Sequence, residues 1–304
     1  MIDYLYFMRI YYFLIALVFY NPVMAQHQNE AFKNLGNFYI VKLASAPFPH
    51  PDRANGHIYQ GQLYSAKQHY NDSSVAIFIP KDFKLTSQTD FVIYFHGWRN
   101  NIDSACTRFR LIEQFSESKV NSIFVFPEGP RNAPDSHGGK LEETNGLKNL
   151  ISDVQTFLSD SAGIRNTKIG HIILAGHSGA YRVISFCLEH GGLADNISAV
   201  LLFDALYGRT EIFLQWIKNY NRHLVDIYTD KGGTKAESEN LMQQLDSLNI
   251  PYIKLDEAEL TEDALSKNKR IFIHSDLVHN QVIAERNQFL LFIKTSLLNS
   301  SNEF

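Results

Sequence analysis

From Phe91 onward the chain alternates short runs of Val, Ile, Leu and Phe with longer segments of helical period, and few architectures accept that alternation. FVIYF (91–95), SIFVF (122–126), HIILA (171–175), AVLLF (199–203), LVDIY (224–228) and RIFI (270–273) are strand candidates, with YIKL (252–255) a shorter one. The intervening segments carry helical spacing. Leu147, Leu150, Ile151, Val154, Phe157 and Leu158 mark one amphipathic helix behind Thr144 or Asn145 as its cap. Leu241, Leu245 and Leu248 mark another, and Val282 to Leu298 reads as a closing C-terminal helix. The expectation is an α/β fold with a mostly parallel central sheet and helices on both faces.

The segment before this alternation is strand-rich. FYIVKL (38–43), HIYQGQLY (57–64) and SVAIFI (74–79), separated by Pro, Gly and Asn-Asp punctuation, predict an antiparallel start to the sheet. With 45% hydrophobic residues the chain has ample material for a core, which excludes a disordered or coiled-coil protein. Its 28 Lys and Arg against 32 Asp and Glu give a net charge of −4 without a basic stripe, so nothing points to a nucleic-acid partner. Cys106 and Cys187 are the only cysteines, so there is no disulfide framework; one bridge or two buried thiols are both open.

Residues 1–25 differ from the rest. IYYFLIALVFY (10–20) follows Arg9 and precedes Val23-Met24-Ala25, which predicts a secretory signal peptide cut before Gln26, with Met8 a more orthodox start than Met1. The run is shorter than the roughly 20 apolar residues of a membrane-spanning helix. The expectation is an exported protein, periplasmic or extracellular, with residues 26–304 as one domain and no stable membrane anchor.

The chemistry centres on IGHIILAGHSGAYR (169–182), where a strand candidate runs into Gly176-His177-Ser178-Gly179-Ala180 and on into a helix. A strand that turns sharply into a helix strains the backbone of its central residue and needs small neighbours on both sides. It also lifts Ser178 clear of the sheet and aims the Gly179 N–H at the same space. By chance alone a G-x-S-x-[GA] pattern occurs in about one chain in five of this length. The flanking strand and helix, and the downstream partners, give it weight.

On these residues the chain resembles the α/β-hydrolase superfamily, and within it the secreted esterases and depolymerases. The resemblance implies a triad in chain order Ser, Asp or Glu, then His. It departs from the pattern only in Ala180, which replaces a final glycine. Ser178 is then the nucleophile and His279 the base, with His274 nearer a strand end as the lesser choice. Asp204, closing AVLLFD, is the preferred acid, because a carboxylate at the tip of so apolar a strand should be paired or catalytic. Asp230 is the alternative, and Asp226 lies within its strand. The resemblance assigns the oxyanion hole to backbone N–H groups at Gly179 and at Trp98 or Gly97, with the His96 side chain bracing that loop. Arg99, Glu128, Arg131 and Tyr207 are candidate substrate contacts.

Asp204 is close enough in sequence to the next strand that no large cap fits between them, so an open cleft for large or polymer-linked substrates is expected. The leading expectation is a secreted serine hydrolase that cleaves carboxylic esters, saccharide or polymer linked ones included, without a cofactor. An amidase with the same triad and a non-catalytic hydrolase-fold binding protein are the alternatives. A metal centre on His274, Asp276 and His279, with His137 or His96, would need a spacing that matches no standard ligand motif.

Overall fold

The computed structural model describes residues 32–165 and 167–296. The expected signal peptide lies outside them. Among the described residues eleven strands run in chain order as β1 (Gly36–Lys42), β2 (His57–Tyr59), β3 (Gln62–Tyr64), β4 (Ser74–Pro80), β5 (Gln88–Phe95), β6 (Ser122–Pro127), β7 (Lys168–His177), β8 (Ile197–Phe203), β9 (His223–Thr229), β10 (Ile253–Asp256) and β11 (Arg270–Ser275). Nine of these form one sheet in the order β1-β4-β6-β5-β7-β8-β9-β11-β10. Strand β4 is antiparallel to β1 and β6, and the remaining pairs are parallel. The antiparallel start and the parallel remainder follow the expectation.

The helices are α1 (Ala66–His69), α2 (Ile102–Arg108), α3 (Leu111–Ser118), α4 (Gly146–Ser161), α5 (Tyr181–His190), α6 (Thr210–Tyr220), α7 (Lys235–Ser247), α8 (Glu262–Lys267) and α9 (Gln288–Lys294). Strand alternation divides the core between the two faces of the sheet. Phe91, Ile93 and Phe95 of β5 pack with the apolar stripes of α4 to α7, whereas Val92 and Tyr94 pack with α2, α3, α8 and α9. Because both faces are covered, the central strands read as unbroken apolar runs.

Three details differ from the sequence reading. His57 to Tyr64 is a separate two-stranded hairpin, turned at Gln60 (φ 49°) and Gly61 (φ 78°), whose left-handed pair suits a two-residue loop. The C-terminal helix begins at Gln288, because Asn287 (φ 54°) interrupts the run; Val282 and Ile283 are buried from the turns that precede it. Asn145 does stand at the start of α4, but its side chain makes no capping bond. Cys106 and Cys187 are separate buried thiols. Among the described residues no helix is long and apolar enough to cross a membrane.

Asp226 is fully buried in β9, bonded to Ser238 Oγ at 2.6 Å, and burial pushes its carboxyl up to about 7 with the Asp204 charge adding to the shift. The folded protein therefore keeps this proton while the unfolded chain loses it above the ordinary carboxylate range. The resulting destabilisation grows as pH rises toward neutrality and levels off above the folded pKa. Asp226→Asn is expected to gain stability between about pH 5 and about pH 8, by on the order of 1–3 kcal/mol relative to the parent. Urea unfolding at the two pH values checks this, and an equal difference at both would contradict it.

Candidate active site

The chain order places β5 and β7 side by side, with Phe95 opposite Gly176, although β6 comes between them in sequence. At such a switch point the segments leaving the C-terminal strand ends diverge and open a crevice. The segment after β5 is His96-Gly97-Trp98, and the segment after β7 is Ser178-Gly179-Ala180.

Ser178 has φ 57°, followed by a 3₁₀ turn (Ser178–Ala180) and then α5. A left-handed serine is strained, by about 1–2 kcal/mol, and close packing holds it there. A Cβ on Gly176 would lie 2.6 Å from the Ala180 Cβ and 2.7 Å from Ile184 Cδ1. Gly176 thus makes room for the alanine that replaces the usual final glycine. A Cβ on Gly179 would meet the Trp98 ring at 2.7 Å.

His279 lies on the loop after β11, and its Nδ1–H donates to Asp204 Oδ2 at 2.7 Å. Asp204 directly follows β8 in a left-handed conformation (φ 46°), with its side chain wholly buried. It also accepts the Thr229 N–H at 3.2 Å, the Thr229 hydroxyl at 2.9 Å and the Thr234 hydroxyl. Burial alone would raise this carboxyl; the hydrogen bonds from His279, Thr234 and Thr229 outweigh it and hold the group below its ordinary value. The ionised Asp204 keeps the His279 proton on Nδ1 and leaves Nε2 to accept one. A Cβ on Gly232 would fall on the Asp204 carboxylate, so that position requires glycine.

Asp230 and His274 meet each other instead. His274 Nε2 lies 3.2 Å from Asp230, its Nδ1 lies 3.0 Å from Asp256, and Asp230 also pairs with Lys235 at 2.7 Å. Neither lines the cleft that holds Ser178 and His279.

Gly97 lies against the serine, since a Cβ there would sit 3.0 Å from Ser178 Oγ. The His96 Nδ1–H donates to the Gly97 carbonyl at 2.7 Å, and the planar peptide then turns the Trp98 N–H away from His96. His96 is buried and paired with Glu128 Oε1 at 3.0 Å, while Glu128 Oε2 accepts the Ile102 N–H at 3.2 Å. Among the turns and loops described, neither the Trp98 nor the Gly179 N–H has a backbone acceptor. The Trp98 indole donates to Ser136 Oγ at 2.7 Å and meets the edge of Tyr59 from the hairpin at 5.2 Å.

The cleft has a volume of about 1110 Å³ and is walled by Trp98, Arg99, Tyr181, Tyr207 and the exposed face of α2. Among the described residues no cap closes it: α6 alone stands between β8 and β9, and Trp98 is 42% exposed. Of the candidate substrate contacts, Arg99 and Tyr207 line the cleft, the Tyr207 hydroxyl donating to the Gly232 carbonyl. Glu128 and Arg131 do not. Glu128 is 2% exposed because it braces His96, and Arg131 is held by Asp72 at 2.7 Å.

Two features went unread in the sequence. The His177 ring lies 4.5 Å from the His279 ring, and its Nε2–H donates to the His279 carbonyl at 2.9 Å. Burial first, and then His279, push its imidazole down to about 3, so it is neutral and fixes the loop that carries His279. Its signal was a histidine where the strand pattern calls for an apolar residue. The second feature is the stripe Asp103, Ser104, Thr107 and Arg108 on α2, whose i, i+1, i+4, i+5 spacing behind Asn101 puts polar groups on one helix face toward the cleft.

His274, Asp276 and His279 do not converge on a metal site, since each has a different partner: Asp230 and Asp256, Arg286, and Asp204. His50, Asp52 and His137 offer ligand atoms within 4.8 Å of one another. Both rings already accept a backbone N–H at Nδ1, from Asp52 at 3.2 Å and from Gly139 at 3.0 Å. In the neutral rings Nε2 then carries the proton, leaving neither a free lone pair for a cation.

No protein-family model matches the chain, and no curated protein matches its sequence. Solved structures do. The fluorophosphonate-binding serine hydrolase F of Staphylococcus aureus is similar with a TM-score of 0.50 at 10% identity, over 86% of this chain and 99% of that one. The feruloyl esterase module of Clostridium thermocellum, complexed with sinapinate, is similar with a TM-score of 0.50 at 12% identity, over 73% of this chain and 82% of that one. With its strand order, antiparallel second sheet strand and strand–serine–helix turn, the chain has the α/β-hydrolase fold.

Proposed function

We propose that this protein is a serine hydrolase that cleaves carboxylic esters through an acyl-enzyme. The observation that carries this reading is the 2.7 Å contact from His279 to a buried, ionised Asp204 in the cleft that holds Ser178 on its strained turn. His279 Nε2 takes the Ser178 Oγ proton as Oγ bonds to the ester carbonyl carbon. The Gly179 and Trp98 N–H groups receive the oxyanion, and the helix that begins there adds its positive end. The proton then passes to the leaving alcohol as its C–O bond breaks, and water repeats the cycle to free the acid. The two solved relatives named above, one a serine hydrolase and one a feruloyl esterase, support this chemistry. A cleft left uncovered by the described residues favours large or polymer-linked esters, and the leader-like residues 1–25 favour export of a single hydrolase domain.

The test is pre-steady-state hydrolysis of a 4-nitrophenyl ester by the purified protein. A burst of nitrophenol close to one equivalent, followed by slower turnover, is expected; no hydrolysis above the buffer rate would refute the proposal. A 4-nitroanilide run in parallel reports on amide cleavage.

A further inference from the structure

Among the described residues three arginines occupy left-handed backbone positions: Arg99 (φ 56°), Arg110 (φ 50°) and Arg209 (φ 54°). That conformation costs a residue with a Cβ about 1–2 kcal/mol that glycine avoids, so the side chain needs a use. Two of the three have one within the protein. Arg110 lies 3.5 Å from Glu117, and Arg209 pairs with Glu189 and covers the Phe186 ring at 4.0 Å. Arg99 has neither an ion pair nor a ring among the described residues. Its N–H is anchored on the Ala133 carbonyl at 2.9 Å, directly after the loop that backs Ser178, and it lines the cleft.

Arg108 reaches the same cleft from α2. Its guanidinium lies 5.8 Å from the Phe109 ring centroid, Phe109 in turn packs on His177 at 5.3 Å, and no carboxylate pairs with Arg108 among the described residues. Its charge is one of those that keep His177 neutral, so it bears on the catalytic end of the cleft. Against these two cations the lining offers, among the described residues, one carboxylate, Asp103, while Asp204 is buried behind His279. The cleft wall is thus net positive on a chain whose net charge is −4.

Guanidinium forks match the planar or tetrahedral oxygens of an oxyacid and bind them with geometric selectivity. We propose that the ester cleaved at Ser178 carries an anionic oxyacid group, which Arg99 and Arg108 receive beside the scissile bond; this rests on the hydrolase reading of the same cleft. The anion is a carboxylate or sulfate on either the acyl or the alcohol portion, and the substrate pairs below separate these.

The experiment compares kcat/KM for matched anionic and neutral esters in the parent, Arg99→Gln and Arg108→Gln. On the acyl side the pair is mono-4-nitrophenyl adipate and 4-nitrophenyl hexanoate. On the alcohol side, 4-acetoxybenzoate and 4-acetoxyphenyl sulfate are each set against phenyl acetate. The ratio within one enzyme cancels any loss of folded protein. For at least one pair the anionic-to-neutral ratio should fall about tenfold in each variant, as loss of one charge-assisted contact implies, and should fall in the parent as salt is added. Ratios within about twofold of the parent for every pair, in both variants, would overturn the proposal while leaving the hydrolase reading intact. Failure of the parent to cleave any of the neutral esters would remove the hydrolase reading and this proposal with it.

Discussion

Ser178→Ala is expected to lower kcat for a 4-nitrophenyl ester by about five to six powers of ten while the protein stays folded. The alanine keeps the Cβ that packs against Gly97 and the same backbone strain at φ 57°, so the turn has no reason to rearrange. What disappears is the oxygen proposed to attack. His279 and the two N–H groups remain, and they can still assist water, so a residual rate of about 10³ over the uncatalysed reaction is the floor. Steady-state rates and a thermal unfolding curve on the same sample check the two halves. An alanine variant with more than about a hundredth of the parent rate would mean the serine is not the nucleophile.

Asp204→Asn is expected to cost about 10³ to 10⁴ in kcat, and Asp230→Asn no more than about twofold. Each Asp204 oxygen accepts two donors: the Thr229 N–H and Thr234 hydroxyl on one, the Thr229 hydroxyl and His279 Nδ1–H on the other. An amide turned either way sets an NH₂ against two of them. If it faces His279, the imidazole must give up its Nδ1 proton and carry it on Nε2, the atom that has to accept from the serine. If it faces Thr234, a buried donor goes unmatched and stability falls by about 1–3 kcal/mol. Asp230, by contrast, is bonded to Lys235 and His274 on an exposed surface. Kinetics of the two variants side by side decide the matter, and a large loss on Asp230→Asn alone would contradict the assignment.

Most of the sheet was legible in the sequence because strands buried on both faces have no polar positions to blur them; AVLLF and SIFVF are wholly buried in β8 and β6. The segment 57–64 was misread because its Gln60-Gly61 turn sits inside an otherwise continuous strand-like pattern. The last helix was misread because Val282 and Ile283 keep an apolar period through turns that Asn287 separates from α9. The sharp turn at Ser178 was legible, since the strand–turn–helix constraint is local. The choice between Asp204 and Asp230 was not forced by local pattern, as both end strands of similar composition. Their difference is tertiary: Thr229, Gly232 and Thr234 on the segment after β9 close around the carboxylate that follows β8. Arg108 and His177 were missed for the same reason, because the segments that follow β5, β7 and β11 meet around one cleft only once the sheet is assembled.

An activated nucleophile at Ser178 is tested most directly by mass mapping of the adduct formed with a fluorophosphonate probe. One covalent equivalent on the peptide that contains Ser178, absent from Ser178→Ala and slowed in Asp204→Asn, is the predicted result. A folded protein that takes up no probe, or takes it up at another residue with Ser178 unmodified, would contradict it.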